Sequence, residues 1–339
     1  MSDRTLVSGK VTRMLRQLLW AVLAFILVTA CGADHSQISS VRSPDATQTA
    51  PSDSVRLVEH MMGETQVPAS PQRVITLDTN LLATALVLGN QPVGTVAWLD
   101  IGGQTMLGPI KPYLEDHAQE LTILGYSEVN LEKVLLVKPD LILGNHHYEA
   151  IYDQLSRIAP TVLYEYSGNG NRGWKNMMRF CGDVFGKPQA AEKLVNEYYQ
   201  RTQELRQKMG DRASNIQVSV ISPESNGVRL MYKGSLGGTV LEDVGLSRPP
   251  EQDKDEVNSL VSFESIPQMD GDVIFVVSFM DEDSLDLVNQ LKKQPLWSQL
   301  EAIKQGKVYL VDAQHWYGSD IVRVNLILDD LFKYLVNVQ

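Results

Sequence analysis

The stretch PQAAEKLVNEYYQRTQELRQKM, Pro188–Met209, divides the chain of 339 residues into two comparable halves. Its apolar side chains, among them Val195 and Tyr198, recur at three- and four-residue steps, which places them on one face of a helix. Pro188 suits a first helical turn, and Gly210 suits a helix end. At 1.5 Å per residue this helix is about 33 Å long. We predict a single stiff helix between two lobes, with a nearly preformed cleft.

Strand and helix patterns alternate on both sides of this helix, which is typical of an α/β protein. We predict two similar Rossmann-like lobes, each with a mainly parallel sheet, and a ligand cleft between them. In the first lobe the predicted strands are residues 73–78, 93–97, 121–124, 140–143 and 161–166, after a short hairpin at 55–67. In the second lobe they are residues 217–221, 227–232, 272–278 and 307–311.

The two halves also share a sequence pattern. NLEKV at 130–134 and PDLIL at 139–143 match SFESI at 262–266 and GDVIF at 271–275, and each matched pair is 132 positions apart. Constant spacing through a helix, a turn and a strand indicates that one supersecondary unit occurs twice.

The first thirty residues are basic and then apolar, with a run from Leu18 to Val28 that is too short to span a bilayer. We interpret residues 1–30 as a secretory signal. Val28-Thr29-Ala30-Cys31 resembles the bacterial lipobox, in which the cysteine is lipidated and becomes the new N-terminus. A retained membrane anchor and an ordinary signal peptide are the alternatives. Residues 31–54 have the composition of a disordered tether.

Charge and cysteine content exclude some functions. The chain has 30 basic and 41 acidic residues, and loss of residues 1–30 leaves 26 and 40, a net charge of −14. Such a surface repels nucleic acid. Cys181 is the only cysteine besides Cys31, so we expect it to be a free thiol packed in the core.

Taken together, the lipobox, the tether, LEKVLLVKPDLIL at 131–143, FESIPQMDGDVIFV at 263–276 and GKVYLVDAQHWYG at 306–318 resemble one family. It is the ferric-siderophore and cobalamin class of solute-binding lipoproteins of ABC importers. The resemblance covers residues 55–339. It implies an N-terminal lobe at 55–172, an interlobe helical segment at 173–209 and a C-terminal lobe at 210–339.

The loops expected to face the cleft contain aromatic, cationic and amide side chains. A ferric siderophore is a bulky chelate with apolar surface and oxygen donors of negative character, which aromatic walls and arginine forks suit. The predicted ligand-binding residues are Trp98, Tyr126, His146, Arg172, Tyr232, Arg248, Gln252, Trp316, Tyr317 and Arg323. Catecholate receptors of the resembled family commonly have arginines where this chain has Ser222-Pro223-Glu224, so a hydroxamate or citrate-type chelate is favoured.

Other chemistry has weaker support in the sequence. The adjacent pair His146-His147 would point to opposite faces of a strand, which disfavours joint metal ligation. Gly168-Asn-Gly-Asn-Arg-Gly173 fits the dinucleotide pattern, but the next predicted strand lies too far along the chain. Lys233-Gly234-Ser235-Leu236-Gly237 lacks the first glycine of a hydrolase elbow. A corrinoid or haem receptor remains an alternative ligand class, and an extracytoplasmic oxidoreductase or hydrolase is the alternative of another class.

The resemblance also implies partners. Acidic residues at the positions of Glu132 and Glu264 meet arginines of the two permease subunits in that family, although both residues also suit the start of a helix. We therefore expect a monomeric binding protein, with no catalytic residue and no cofactor beyond the iron of its chelate. Its expected partners are a ferric siderophore, an ABC permease dimer and, through Cys31, the cell membrane, on the periplasmic or exterior side.

Overall fold

The computed structural model describes residues 54–99, 103, 105–114, 121–166 and 173–336. The predicted signal peptide, Cys31, nearly all of the tether and Arg172 lie outside the described residues.

The first lobe is built on a parallel sheet of five strands in the order β5-β4-β3-β6-β7. An antiparallel hairpin, β1 and β2, precedes it as predicted. The strands are β1 Val55–His60, β2 Gly63–Pro68, β3 Val74–Thr76, β4 Gly94–Ala97, β5 Thr122–Tyr126, β6 Leu141–Asn145 and β7 Thr161–Tyr164.

The second lobe has a mixed sheet in the order β10-β9-β8-β11-β12. Strand β11 pairs in parallel with β8 and β12, whereas β8, β9 and β10 pair antiparallel. The prediction of a mainly parallel sheet therefore needs correction here, because the two-residue turn Ser225-Asn226 closes an antiparallel hairpin between β8 and β9. The strands are β8 Val218–Glu224, β9 Gly227–Met231, β10 Asn258–Val261, β11 Val273–Ser278 and β12 Val308–Asp312.

Helices cover both sheets. The α-helices are Thr79–Val87, Lys111–Leu114, Leu131–Leu136, Tyr152–Ser156, Trp174–Val184, Pro188–Met209, Arg212–Asn215, Leu236–Val244, Glu282–Lys292, Glu301–Lys304, Ala313–Trp316 and Ile321–Leu331. The 3-10 helices are Gly108–Ile110, His146–Ile151, Pro250–Gln252, Phe263–Met269 and Trp297–Gln299, and Phe332–Val336 is a π-helix.

The helix Pro188–Met209 has the predicted bounds and is called the interlobe helix below. The predicted apolar face is buried, including Val195, Tyr198 and Leu205. Gly186 before it has a φ of +67°, and a Cβ there would lie 1.9 Å from Arg56 Nη1. The positive φ favours glycine at this turn before the helix, whereas the Arg56 side chain could move away from a Cβ.

A second element also joins the lobes. The helix Ile321–Leu331, called the final helix below, packs against the interlobe helix and against Thr79–Val87 of the first lobe. One continuous apolar cluster includes Leu82 of the first lobe and Val220 of the second. The lobes are therefore joined through a shared core as well as through the interlobe helix, which favours a cleft of nearly fixed shape.

The internal repeat is visible in a matching pair of carboxylates. Asp140 accepts hydrogen bonds from the backbone N–H groups of Gln72, at 2.6 Å, and Arg73, at 2.9 Å, just before β3. Asp272, 132 positions later, accepts one from Gln217 N–H at 2.8 Å, just before β8. In each lobe, the repeated unit fixes the start of the lobe's first sheet strand.

Cys181 lies in the helix Trp174–Val184 and is fully buried, as predicted. Burial raises the pKa of its thiol. Among the described residues, no helix is both long and apolar enough to cross a membrane.

Candidate ligand-binding cleft

A cavity of about 570 Å³, called the cleft, is lined by both lobes. First-lobe residues follow the carboxyl ends of parallel strands: Asp78 after β3, Trp98 after β4, His146 after β6 and Tyr166 after β7. This is the edge at which open α/β sheets bind ligands. The described lining is Asp78, Thr79, Asn80, Trp98, Leu99, Met106, His146, His147, Tyr166, Val257, Tyr317, Gly318, Ser319 and Arg323.

A buried polar network forms the floor of the cleft. The Asp78 carboxylate caps the helix Thr79–Val87 by accepting a hydrogen bond from Leu81 N–H at 3.2 Å, and it accepts another from Asn145 Nδ2 at 2.9 Å. Burial raises the pKa of Asp78, while the backbone N–H donors of the helix lower it. Asn80 Oδ1 accepts a hydrogen bond from Ser319 N–H at 2.8 Å, which ties the floor to the second lobe.

Arg323 lies at the second-lobe side of the floor, with 1% of its side chain exposed. Its Nη1 pairs with the buried carboxylate of Asp320, and its Nε donates to the Gln314 carbonyl at 3.1 Å. Its Nη2 donates across the lobes to the Met106 carbonyl at 2.8 Å. Every nitrogen of the guanidinium group is thus engaged with the protein, so its positive charge is largely compensated before a ligand arrives.

Aromatic rings and imidazoles form much of the first-lobe wall. His146 packs edge-on against Tyr166, with ring centroids 5.8 Å apart. Burial, and to a smaller extent the neighbouring His147, lowers the pKa of His146. Its Nδ1 is buried and has no hydrogen-bond partner among the described residues. Trp98, 40% exposed, presents a large apolar ring.

A second cavity of about 290 Å³ adjoins the cleft through Leu99, Met106 and Tyr317. Tyr317 stacks on Phe279 at a centroid distance of 6.0 Å, and burial raises the pKa of its hydroxyl. Ser222-Pro223-Glu224, the predicted departure from the catecholate pattern, lines this cavity. Glu224 pairs with Arg229 at 2.8 Å, and the described lining residues of this cavity include no lysine or arginine.

Four predicted ligand-binding residues line the cleft: Trp98, His146, Tyr317 and Arg323. Tyr126 is 53% exposed at the carboxyl end of β5 but does not line a described cavity. Arg172 lies outside the described residues.

The other four lie in the second lobe and are placed away from the described cleft lining, which corrects their predicted position. Tyr232 is buried in the core, where its hydroxyl contacts Ser259 Oγ at 2.5 Å. Gln252 is fully buried. Its Nε2 donates to Ser219 Oγ, and its Oε1 accepts from Val220 N–H.

Arg248 and Trp316 are also buried, at 7% and 2% exposure. Arg248 Nη1 donates to the Met231 carbonyl at 3.3 Å. Trp316 Nε1 donates to Asp330 Oδ2 at 2.9 Å, and its ring packs on Phe275. Both side chains are amphipathic, are buried and have hydrogen-bond partners inside the protein, so they contribute to packing. Their positions in the sequence alone had suggested a place in the cleft lining.

The structure also adds residues that were not predicted. They include Asp78, Asn80 and Ser319 in the floor and Leu99 and Met106 at the junction of the two cavities. One sequence signal was available, because Asp78 follows β3 and caps the next helix, a position at the ligand-binding edge of the sheet.

Direct metal ligation has no geometric support within the described part of the chain. No three side chains of the histidine, cysteine, aspartate or glutamate types come close enough together there to hold a metal ion. His146 and His147 lie side by side at the cleft, whereas His315 does not line it and is near Asp330, at 3.7 Å.

The two glutamates predicted to meet the permease are exposed, each in the first turn of a helix. Glu132 lies in the α-helix Leu131–Leu136, which Asn130 caps through its side chain. Glu264 lies in the 3-10 helix Phe263–Met269, where Pro267 is incompatible with a regular α-helix. Ser262 donates to the Glu264 carboxylate at 2.6 Å instead of capping the backbone.

The two-lobed α/β fold with a cleft between the lobes defines a solute-binding protein. The chain belongs to the periplasmic binding protein family, whose model matches residues 108–315. This confirms the resemblance inferred from the sequence. It also agrees with the prediction of a binding protein without enzymatic activity.

Named relatives support this placement. The chain is 32% identical to the probable siderophore-binding lipoprotein YfiY of Bacillus subtilis, over 94% of this chain and 97% of that protein. It is 26% identical to the Fe(3+)-citrate-binding protein YfmC of the same organism, over 87% and 88%. The structure of Staphylococcus aureus SirA complexed with staphyloferrin B matches with a TM-score of 0.70 and 28% identity, covering 84% of this chain and 99% of that one.

Proposed function

We propose that this protein is an extracytoplasmic, lipid-anchored receptor that binds a ferric siderophore in the cleft and delivers it to an ABC importer for iron uptake. The main supporting observation is the cleft itself. Its volume of about 570 Å³ and its aromatic, imidazole and hydroxyl lining suit a bulky chelate with apolar arms and oxygen donors. The names of the relatives point to the same ligand class.

The chelate favoured in this proposal is of the hydroxamate or citrate type. A ferric tris-catecholate carries a high negative charge, which requires several uncompensated cations around it. Among the described lining residues, Arg323 is the only arginine or lysine, and it is engaged by Asp320 and two carbonyls. The second cavity likewise contributes only the paired Glu224 as a charged group.

Anchoring and delivery complete the proposal. A lipid on Cys31 would hold the monomeric protein at the outer face of the cytoplasmic membrane, and residues 31–54 would space it from the bilayer. Glu132 and Glu264, exposed on the two lobes, would pair with the two subunits of a permease dimer.

Tryptophan fluorescence of the mature protein gives the test, because Trp98 is exposed in the cleft whereas Trp297 is 5% exposed in the second-lobe core. The protein is titrated with ferric hydroxamates, ferric citrate, ferric catecholates, cobalamin and haem. We expect a ferric hydroxamate or citrate chelate to quench the emission. Trp98→Ala should weaken binding of that chelate by about 1–3 kcal/mol, measured by calorimetry.

The control variant Trp297→Phe should leave the affinity unchanged. Binding of haem or cobalamin with no response to any ferric chelate would refute the proposed ligand and support the alternative receptor. Binding of the chelate with the same affinity in Trp98→Ala and wild type would refute the placement of the site.

A further inference from the structure

A side chamber of about 390 Å³ lies in the first lobe next to the cleft. Trp98 and His147 line both spaces, so a ligand in the cleft can extend an arm past the indole ring into the chamber. The other walls include Ser127, Glu128 and Tyr148.

The described lining of the chamber is acidic. Glu128 is its only carboxylate, and no lysine or arginine is among its described lining residues. Asn145 uses its side chain inside the protein, since its amide nitrogen donates to Asp78 at 2.9 Å and its amide oxygen accepts from His147 N–H at 3.0 Å. Tyr148 likewise donates its hydroxyl to the Leu77 carbonyl at 2.7 Å. The Asn145 amide and the Tyr148 hydroxyl are therefore already used inside the protein.

Glu128 differs from these neighbours. Its side chain is exposed, and within the described chain its carboxylate has neither an ion-pair nor a hydrogen-bond partner. An exposed indole ring and an unpaired carboxylate around one space form the combination that attracts an alkylammonium group, through cation–π and charge attraction.

The backbone position of Glu128 is fixed by a tight turn. The turn after β5 bends so sharply that a Cβ on Gly125 would lie 1.9 Å from the Glu128 carbonyl, and Ser127 has a φ of 60°. Ser127 N–H donates to the Ala97 carbonyl at 3.1 Å, immediately before Trp98 in the chain. The turn that carries Glu128 is thus tied to the segment that carries the indole.

We infer that this chamber is a subsite for a cationic arm, and that the ligand is a ferric hydroxamate chelate with a pendant primary amine. This inference rests on the proposed function. It extends that function by placing the positive charge of the ligand between Trp98 and Glu128, which agrees with the absence of an uncompensated lysine or arginine in the described cleft lining.

The test uses two probes that differ only in the amine: the linear ferric trihydroxamate ferrioxamine B and its N-acetyl derivative. Titrations at pH 8 keep imidazoles ordinarily neutral and alkylamines protonated. We expect the wild-type protein to bind the free amine about fivefold more tightly, the size of one exposed cation–π contact plus one solvated ion pair. In Glu128→Gln the two probes should bind within about twofold of each other.

Glu149→Gln is the matched control, because Glu149 is exposed near His146 but does not line the chamber. This variant should keep the preference for the free amine. Equal binding of the two probes by wild type, or a preference that persists in Glu128→Gln, overturns the subsite. So does binding of ferric citrate with no binding of either trihydroxamate, although the proposed receptor function would survive. Failure to bind any ferric chelate would overturn the receptor function itself.

Discussion

Arg323 holds the floor of the cleft, and removing its charge should destabilise the whole protein. In Arg323→Met the buried carboxylate of Asp320, which is 0% exposed, loses its cationic partner. The carbonyls of Gln314 and Met106 also lose a donor, the latter across the two lobes. Leaving one charge of a buried pair without its partner costs about 3–5 kcal/mol.

Thermal unfolding followed by circular dichroism measures this cost. With an unfolding entropy of about 2.1 cal/mol/K per residue over the globular part of the chain, a loss of about 3–5 kcal/mol lowers Tm by about 5–8 °C. Arg323→Met/Asp320→Asn removes both charges and should recover most of the loss, since no uncompensated buried charge remains. The reasoning is refuted if Arg323→Met melts within about 2 °C of wild type, or if the double variant is no more stable than the single one. This result would separate a structural role of Arg323 from direct ligand binding, which the sequence had suggested.

Two further predictions concern anchoring and delivery. Cys31→Ala should abolish incorporation of labelled palmitate, and continued labelling would contradict the lipobox assignment. Glu132→Arg/Glu264→Arg should leave ligand affinity in solution unchanged, because neither residue lines the cleft. The same double variant should greatly reduce ligand-stimulated ATP hydrolysis by the reconstituted importer. Normal transport in cells would show that these glutamates only stabilise the first turns of their helices.

The sequence predicted the architecture well where local and global signals agree. The interlobe helix has an apolar face, a proline start and a glycine end, and its bounds were obtained without error. The mixed sheet was missed because the alternation of strands and helices was given more weight than the short connection that the two-residue turn Ser225-Asn226 makes between β8 and β9. The position of the helix that contains Glu264 was predicted, but its type was not. It is a 3-10 helix, because Pro267 is incompatible with a regular α-helix.

The cleft was predicted less well, for a physical reason. Residues directly after parallel strands, such as Trp98 and His146, line the cleft because strand ends converge at one sheet edge. Gln252 and Trp316 have the same amphipathic character, but they satisfy their polar atoms inside the protein. Nothing in a single sequence distinguishes a tryptophan whose indole N–H meets Asp330 from one that meets a ligand.

The buried thiol of Cys181 makes the receptor well suited to measurements of lobe movement. Because the side chain is fully buried and burial raises its pKa, it should react slowly with thiol reagents in the folded protein. In a chain carrying Cys31→Ala, Glu132→Cys and Glu264→Cys would then be the two readily labelled sites. Spin labels there would report the distance between the lobes with and without ligand, and the shared core predicts a small change.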